Sequence, residues 1–309
     1  MDFWELLKWC LGIIVAVITI YKFFWKAPAD RGGKEPSSKT DSVASRFIAL
    51  FESHGVHRNQ IPDFFDHGIT LHDCADETAL LKKIDSQCLK DAAELFGVNL
   101  EWLQGASQEI YDIPRFYKDN EACEEYLTNL KASKPDANLA TYVLTPNSFK
   151  DSRDYNNAVI LITEVIGHIN EREIYRYRLA GKTQNTYWKA RAYFAVSCAL
   201  LIKHGFEPIG QTVNEQWLIS LNEGKTLIEY DFTEGGQHFV LPNSCVWYVD
   251  EFLECPDRYL SGVDPETDNF GYISALQMWL EFKHFMKVND EVSYQQAQNA
   301  FVGKLKELS

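Results

Sequence analysis

The stretch Trp9–Trp25, WCLGIIVAVITIYKFFW, constrains this chain more than any other, because a run that is apolar apart from Thr19 and Lys22 has no polar face to turn to water. A spanning helix needs about 20 residues to cross a hydrocarbon core of ~30 Å. Leu6 and Leu7 lengthen the run, and Lys8 and Lys22 stand near its ends, where long side chains snorkel. Trp4, Trp9, Tyr21 and Trp25 occupy the positions of an interfacial aromatic belt. The expectation is a single-pass membrane anchor over residues 6–25. Lys22 near its end and Lys26, Arg31, Lys34 and Lys39 beyond it, with Asp30 and Glu35, face Asp2, Glu5 and Lys8 before it. That asymmetry predicts an inner or plasma membrane location of bacterial type, with everything C-terminal of the anchor on the cytoplasmic side. Two other readings compete. Ala27-Pro28-Ala29 would suit a cleaved signal peptide, but its leading region would be acidic and two lysines would precede the cut. A buried N-terminal core helix is the second.

Among the 309 residues, 46% are apolar and 24% charged, a globular composition with room for one large domain or two ordinary ones. The net charge of −14 argues against wholesale wrapping of phosphate backbones. Seven cysteines, an odd number at long spacings, read as free thiols in a reducing compartment. Composition shifts divide the chain into an anchor (1–26), a flexible linker APADRGGKEPSSKTDS (27–42), a helical segment (43–131) and a C-terminal region (138–309), with a break at ASKPDAN (132–138).

The helical segment reads as five short helices. RFIALFESHGV groups Phe47, Ile48, Leu50 and Phe51 and stops at Gly55. HRNQIPDFF and DETALLKKI follow. SQCLKDAAELFGV has Ser86 as a candidate N-cap and Gly97 as its stop, and NLEWLQG runs from Asn99 to Gly105. Over residues 43–106 this order, and above all the ending Leu95-Phe96-Gly97-Val98 then Glu101-Trp102-Leu103-Gln104-Gly105, resembles the lambda-repressor-like helix-turn-helix family. The start, Gly55-Val56-His57-Arg58-Asn59-Gln60-Ile61-Pro62, is similar to the turn into that family's second helix. The resemblance implies a DNA-reading helix near Thr70–Ala79. That interval carries Asp73, Asp76 and Glu77, with no cation before Lys82. Residues 41–110 hold five Lys and Arg against twelve Asp and Glu. Affinity for DNA needs cations opposite phosphates. A protein-contact role is therefore expected for the segment, and DNA binding is the alternative, through Arg58, Asn59, Gln60 and Thr70.

From Leu139 the pattern turns mixed. TYVLTP reads as a short strand, NAVILITEVIG as a strand buried on both faces, and EIYRYRLAG as its hairpin partner. TYWKARAYFAVSCALLIKHG is a long helix, apolar over most of its circumference and closed by Gly205. EQWLISL reads as a helix, KTLIEYDF and HFVLPNSCVWYV as strands, and GYISALQMWLEFKHFMK and YQQAQNAFVGKLKEL as closing helices. The expected fold class is α+β: an N-terminal transmembrane helix, a small all-α helix-turn-helix-like module, and a C-terminal α+β domain with a mixed or antiparallel sheet.

Four constellations bear on chemistry. His54, His57, His67 and His72, followed by Asp73 and Cys74, are four of the eight histidines, but their spacings match no metal site and helix ends explain them better. Cys245, Cys255 and Cys198 form no C-x-x-C and read as packed thiols. Asp231, Glu234, Gly235, Gly236 and His238 read as a polar hairpin turn. Arg176 and Arg178 alternate onto one strand face, and with Lys182, Lys189 and Arg191 nearby they could take a phosphate or carboxylate. Arg176, Arg178, Lys182 and Arg191 are thus the candidate site for a small anionic ligand, the alternative being a solvated strand face paired with Glu171, Glu173 or Asp residues. No P-loop, dinucleotide glycine fingerprint, G-x-S-x-G or H-E-x-x-H is present, so no catalytic residue, metal or cofactor is assigned. The sequence reads as a membrane-anchored cytoplasmic interaction or regulatory protein, its helical module on an unidentified protein partner and its C-terminal domain on a ligand or second partner. A membrane-bound transcription regulator, and an enzyme of unrecognised type in the C-terminal domain, are the alternatives.

Overall fold

Val159, Ile160, Leu161 and Ile162 are an unbroken apolar run, and β2 (Asn157–Ile169) buries it on both sides. Val159 and Leu161 enter the core on one face of a sheet, and Ile160 and Ile162 enter the core on the other. A computed structural model of the chain describes residues 42–133, 139–146, 157–230, 239–242, 244–263, 265 and 271–309. β2 pairs antiparallel with β1 (Leu139–Pro146), Tyr142 opposite Leu161, and with β3 (Arg172–Gln184), Thr163 opposite Tyr177. The β2–β3 hairpin closes at Asn170, whose left-handed φ of 55° an asparagine tolerates better than most side chains. β4 (Pro208–Val213) runs parallel to β1, and β5 (Cys245–Tyr248) pairs antiparallel with β4. The order β3-β2-β1-β4-β5 is a mixed five-stranded sheet.

Helices cover both faces. On the first lie α1 (Val43–Ser53), a 3-10 turn at Arg58–Gln60, α2 (Ile61–Phe64), α3 (Leu71–Ala75), α4 (Glu77–Leu81), α5 (Ser86–Phe96) and α6 (Leu100–Leu103). Phe47, Phe51 and Phe96 pack there with Leu144, Tyr177 and Leu179 of the sheet. Phe51 meets Phe96 edge-on at 4.9 Å, a favoured aromatic geometry. α5 starts at Asp85, whose carboxylate accepts from the Cys88 amide, and ends at Gly97 in the left-handed conformation (φ 73°) that relieves its last carbonyls. On the second face lie α7 (Asn120–Ser133), α8 (Trp188–Lys203), α10 (Val249–Glu254), α11 (Pro256–Leu260), α12 (Gly271–Glu281) and α13 (Glu291–Leu308), packed on Val143, Ile160, Ile162 and Ala180. α9 (Glu215–Asn222) returns to the first face through Leu218 and Leu221.

The expected fold class needs correction. The described residues are α+β with a mixed sheet, but among them no helix is long and apolar enough to cross a membrane. α8 shows why apolarity alone misleads: its 16 residues are apolar nearly all round because they lie between the sheet and outer helices, and 16 residues reach only about 24 Å. The expected anchor (6–25) and all of the expected linker (27–42) except Ser42 lie outside the described residues. Nor is the helical segment a small free module. Residues 42–309 form one compact unit, in which the apolar faces of α1 and α5 are completed by β1, β2 and β3. Arg172 of β3 ties the two together by donating to the Gly55 carbonyl (2.6 Å) and to Gln60 Oε1 (3.1 Å).

Other differences are local. KTLIEYDF contributes no strand among its described residues, only a single bridge between Tyr230 and Phe239. Among its described residues HFVLPNSCVWYV yields a strand at Cys245–Tyr248. β4, α10 and α11 were not anticipated. The interval Thr70–Ala79 is two five-residue helices split at Asp76, whose backbone is extended and whose carboxylate caps α4 through the Thr78 and Ala79 amides.

Candidate functional site

The cations expected to form an anion site are parted by the fold. Alternation does bring Arg176 and Arg178 together, onto Glu164 of the neighbouring strand. Arg178 Nε and Nη2 each donate to Glu164 Oε2 at 3.2 Å, and Arg176 Nη1 lies at 3.5 Å. Arg176 Nε also donates to the Leu95 carbonyl (2.6 Å), pinning α5 to the sheet edge. Burial pulls the Arg176 guanidinium below its ordinary range, against the pull of Glu164. Lys182 Nζ donates to the Asn222 carbonyl at 2.9 Å. Arg191 lies elsewhere, on the first turn of α8.

Of the candidate DNA contacts, Arg58, Gln60 and Thr70 have side chains engaged within the fold, and Asn59 is held through its backbone. Arg58 pairs with Glu52 at 3.0 Å, Asn59 N–H donates to His57 Nδ1, and Gln60 Oε1 accepts from His57 N–H and Arg172. Thr70 and Asp73 cap α3 reciprocally, Thr70 Oγ1 donating to Asp73 Oδ2 at 2.7 Å.

A cleft of about 360 Å3 opens on the second face, where β1, β4 and β5 meet the start of α8. β1, β3 and β4 all run the same way, so Thr145, Thr212 and the residues after Gln184 come together at one edge of the sheet. Thr145 and Thr212 are register partners across the parallel pair. Asn185, in the short link from β3 to α8, is 1% exposed, and its carboxamide oxygen is buried without a hydrogen-bond partner. Arg191 and Phe194 follow on one face of α8, three residues apart. Arg191 threads the floor: Nε donates to the Asn185 carbonyl (2.6 Å), Nη1 to Tyr259 (3.2 Å) and Nη2 to Ser261 (2.8 Å). Burial lowers its pKa to about 10, while Tyr259 and Cys198 act in the opposite direction.

The far wall comes from β5 and the two helices after it. Gly210 admits Trp247: a Cβ at residue 210 would lie 2.1 Å from the indole Cδ2. Trp247 is edge-on to Phe252 (5.9 Å, 74°), and its buried Nε1–H has no acceptor. At the mouth, Glu251 pairs with Arg258 at 3.5 Å, both exposed, and Val246 and Tyr248 reach solvent. The Thr212 hydroxyl donates to the Cys245 carbonyl (3.4 Å). Among the described lining residues the carboxylate is Glu251, and it is held by Arg258 rather than by the hydroxyl of Thr145, Thr212 or Ser261. The lining is suited to hold a molecule, not to activate a nucleophile.

The histidines separate. His54 is fully buried, its Nδ1 against the Leu50 carbonyl (2.7 Å) and its ring stacked on Tyr177 at 4.7 Å. Desolvation lowers its pKa to about 4. His57 caps the 3-10 turn, and His67 meets Asp91 at 3.2 Å. Among the described residues no group of three His, Cys, Asp or Glu is placed to hold a metal. Cys198 is buried, and burial pushes its thiol up, whereas Cys245 is exposed. Residues 231–238, with the carboxylates and glycines of the expected turn, lie outside the described residues.

Of the cleft's interior, the sequence reading singled out Arg191 alone. Asn185 and Trp247 carried no signal: an Asn after a strand reads as a turn, and a Trp in an apolar run reads as core. No protein-family model, curated protein or solved structure matches the chain.

Proposed function

We propose that residues 42–309 are the binding unit of a non-enzymatic interaction or regulatory protein, and that the cleft between β1, β4, β5 and α8 takes a small ligand. The observation that carries this reading is the cleft itself, about 360 Å3, walled by Phe194, Trp247 and Phe252 and lined by the polar side chains of Thr145, Asn185, Thr212 and Ser261. The surroundings support the reading: an apolar concavity with a few convergent polar atoms, in the size range of small-molecule sites. The helical layer keeps its protein-contact role. Leu71 (59% exposed) and Leu81 (46%) project from α3 and α4 in the acidic part of the chain, which suits a basic partner with apolar side chains.

The test of the ligand reading is a thermal-unfolding screen of the purified full-length protein against metabolite-sized compounds, repeated with Gly210→Ala, whose Cβ displaces Trp247 into the cleft. Compounds that raise the midpoint for the native chain and not for the variant are expected. Equal shifts for both would place any binding outside the cleft.

A further inference from the structure

We infer that the cleft selects a zwitterionic α-amino acid with a large apolar side chain, its carboxylate on Arg258, its ammonium on Glu251 and its side chain on the aromatic wall. The inference rests on the small-ligand reading of the cleft and deepens it. Glu251 of α10 and Arg258 of α11 both line the cleft, and their side chains are 52% and 70% exposed. Arg258 Nε lies 3.5 Å from Glu251 Oε2, and among the described residues neither side chain makes another ion pair or a hydrogen bond. The contact is long for a charge-assisted bond. It joins one nitrogen to one oxygen, so the two terminal guanidinium nitrogens and the second carboxylate oxygen remain available to a ligand. Arg191, by contrast, commits all three nitrogens to backbone carbonyls. An exposed pair such as Glu251–Arg258 contributes little to stability and opens at little cost.

Two opposite charges side by side restrict what can bind. A plain carboxylate on Arg258 would sit beside the like charge of Glu251, and a plain amine on Glu251 would sit beside that of Arg258. A ligand with ammonium and carboxylate on one carbon sets an opposite charge against each. The rest of the cleft fixes the side chain. Phe252 stands between Phe194 (6.4 Å, 60°) and Trp247 (5.9 Å, 74°), and all three rings line the cleft. Phe194 and Phe252 are 2% and 6% exposed, so this wall lies deeper than the charged pair. An apolar side chain packed on it leaves water, while the charged end stays with Glu251 and Arg258 at the mouth. A volume of about 360 Å3 is at the small end of ligand sites, suited to one amino acid rather than a peptide.

The experiment is a calorimetric titration of the full-length protein with L-leucine, L-methionine, L-phenylalanine and L-tryptophan. Glycine is the control for the side chain. For the strongest binder, the N-acetyl derivative masks the ammonium and the amide masks the carboxylate. At least one of the four should bind at least tenfold more tightly than glycine and than both of its masked derivatives. Glu251→Gln and Arg258→Gln, both at exposed positions, should keep the unfolding midpoint of the native chain and should each weaken that amino acid at least tenfold. Glu251→Gln should not weaken the N-acetyl derivative further, nor Arg258→Gln the amide, because each derivative has already lost the charge that residue serves. Glycine or a masked derivative binding as tightly as the parent, or undiminished binding by either variant, overturns the ligand class and leaves the cleft a site of other chemistry. No heat with any of the four overturns the class as well. If the compound screen is silent too, the small-ligand reading falls with it.

Discussion

The basic face of β3 and the neutral cleft beside α8 treat buried polar groups in opposite ways. On β3, two arginines converge on one carboxylate, Glu164, which is 3% exposed, and Arg176 also donates to the Leu95 carbonyl of α5. In the cleft, a carboxamide oxygen and an indole N–H are buried and left without partners. Clustered charge in the sequence suggests a ligand site, yet the fold uses that charge to join strand to strand and helix to sheet. The orphaned groups in the cleft are neutral. A cation cluster is thus weak guidance to a binding site where a carboxylate lies on the adjacent strand, because pairing two buried charges within the fold offsets their desolvation.

Several substitutions would break or sharpen that contrast. Glu164→Leu has the largest expected effect: it leaves two partly buried guanidinium groups without their shared carboxylate and should cost about 3–5 kcal/mol in urea unfolding. A loss under 1 kcal/mol would mean that solvent already satisfies both arginines.

Acid should act next, through His54, which is surrounded by Ser53, Phe96, Tyr177 and Arg176 and carries no carboxylate partner among its contacts. Its pKa falls from 6.5 to about 4 on folding, so the unfolded chain binds the extra proton. Stability present above pH 6.5 is lost as pH falls from about 6.5 to about 4 and changes no further below that from this group, a total on the order of 3 kcal/mol. His54→Phe should flatten that part of the stability profile, and an unchanged slope would assign the acid sensitivity to other groups.

Gly210→Ala should cost about 1–3 kcal/mol by forcing Trp247 off its seat, with a larger proportional loss of ligand-induced stabilisation. Deleting residues 1–41 should change the stability of the remainder least. Residues 42–309 hold both described cores, so the fragment should keep the unfolding midpoint of the full chain within a few degrees by circular dichroism.

How much of this was legible follows from which interactions are local. The stops at Gly55 and Gly97, the double-sided run of β2 and the long helix α8 are written in neighbouring residues and survive in the structure. The α5 cap falls one residue earlier than expected, on Asp85, because either side chain could accept from the first turn. β4 could not be read. PIGQTV carries a proline and a glycine that resemble a loop, and its strand character is set by pairing with β1 and by the space Trp247 needs over Gly210. The junction of helical layer and sheet was hidden for the same reason: Phe51 and Phe96 make an apolar face, but nothing local says that Tyr177 and Leu179 will cover it. Arg176 and Arg178 share Glu164, twelve and fourteen residues away, a partner that emerges only from the β2–β3 register. Asn185 is the hardest case, since burial without a partner is a property of the fold alone.

The central claim is that the β3 cluster is satisfied within the fold and the cleft is not. It is tested most directly by unfolding Glu164→Leu and Asn185→Leu side by side in urea, without ligand. The account predicts opposite outcomes: a loss of about 3–5 kcal/mol for Glu164→Leu, and no loss or a gain for Asn185→Leu. A loss above about 2 kcal/mol for Asn185→Leu would show that its carboxamide is satisfied within the protein, and would contradict the claim.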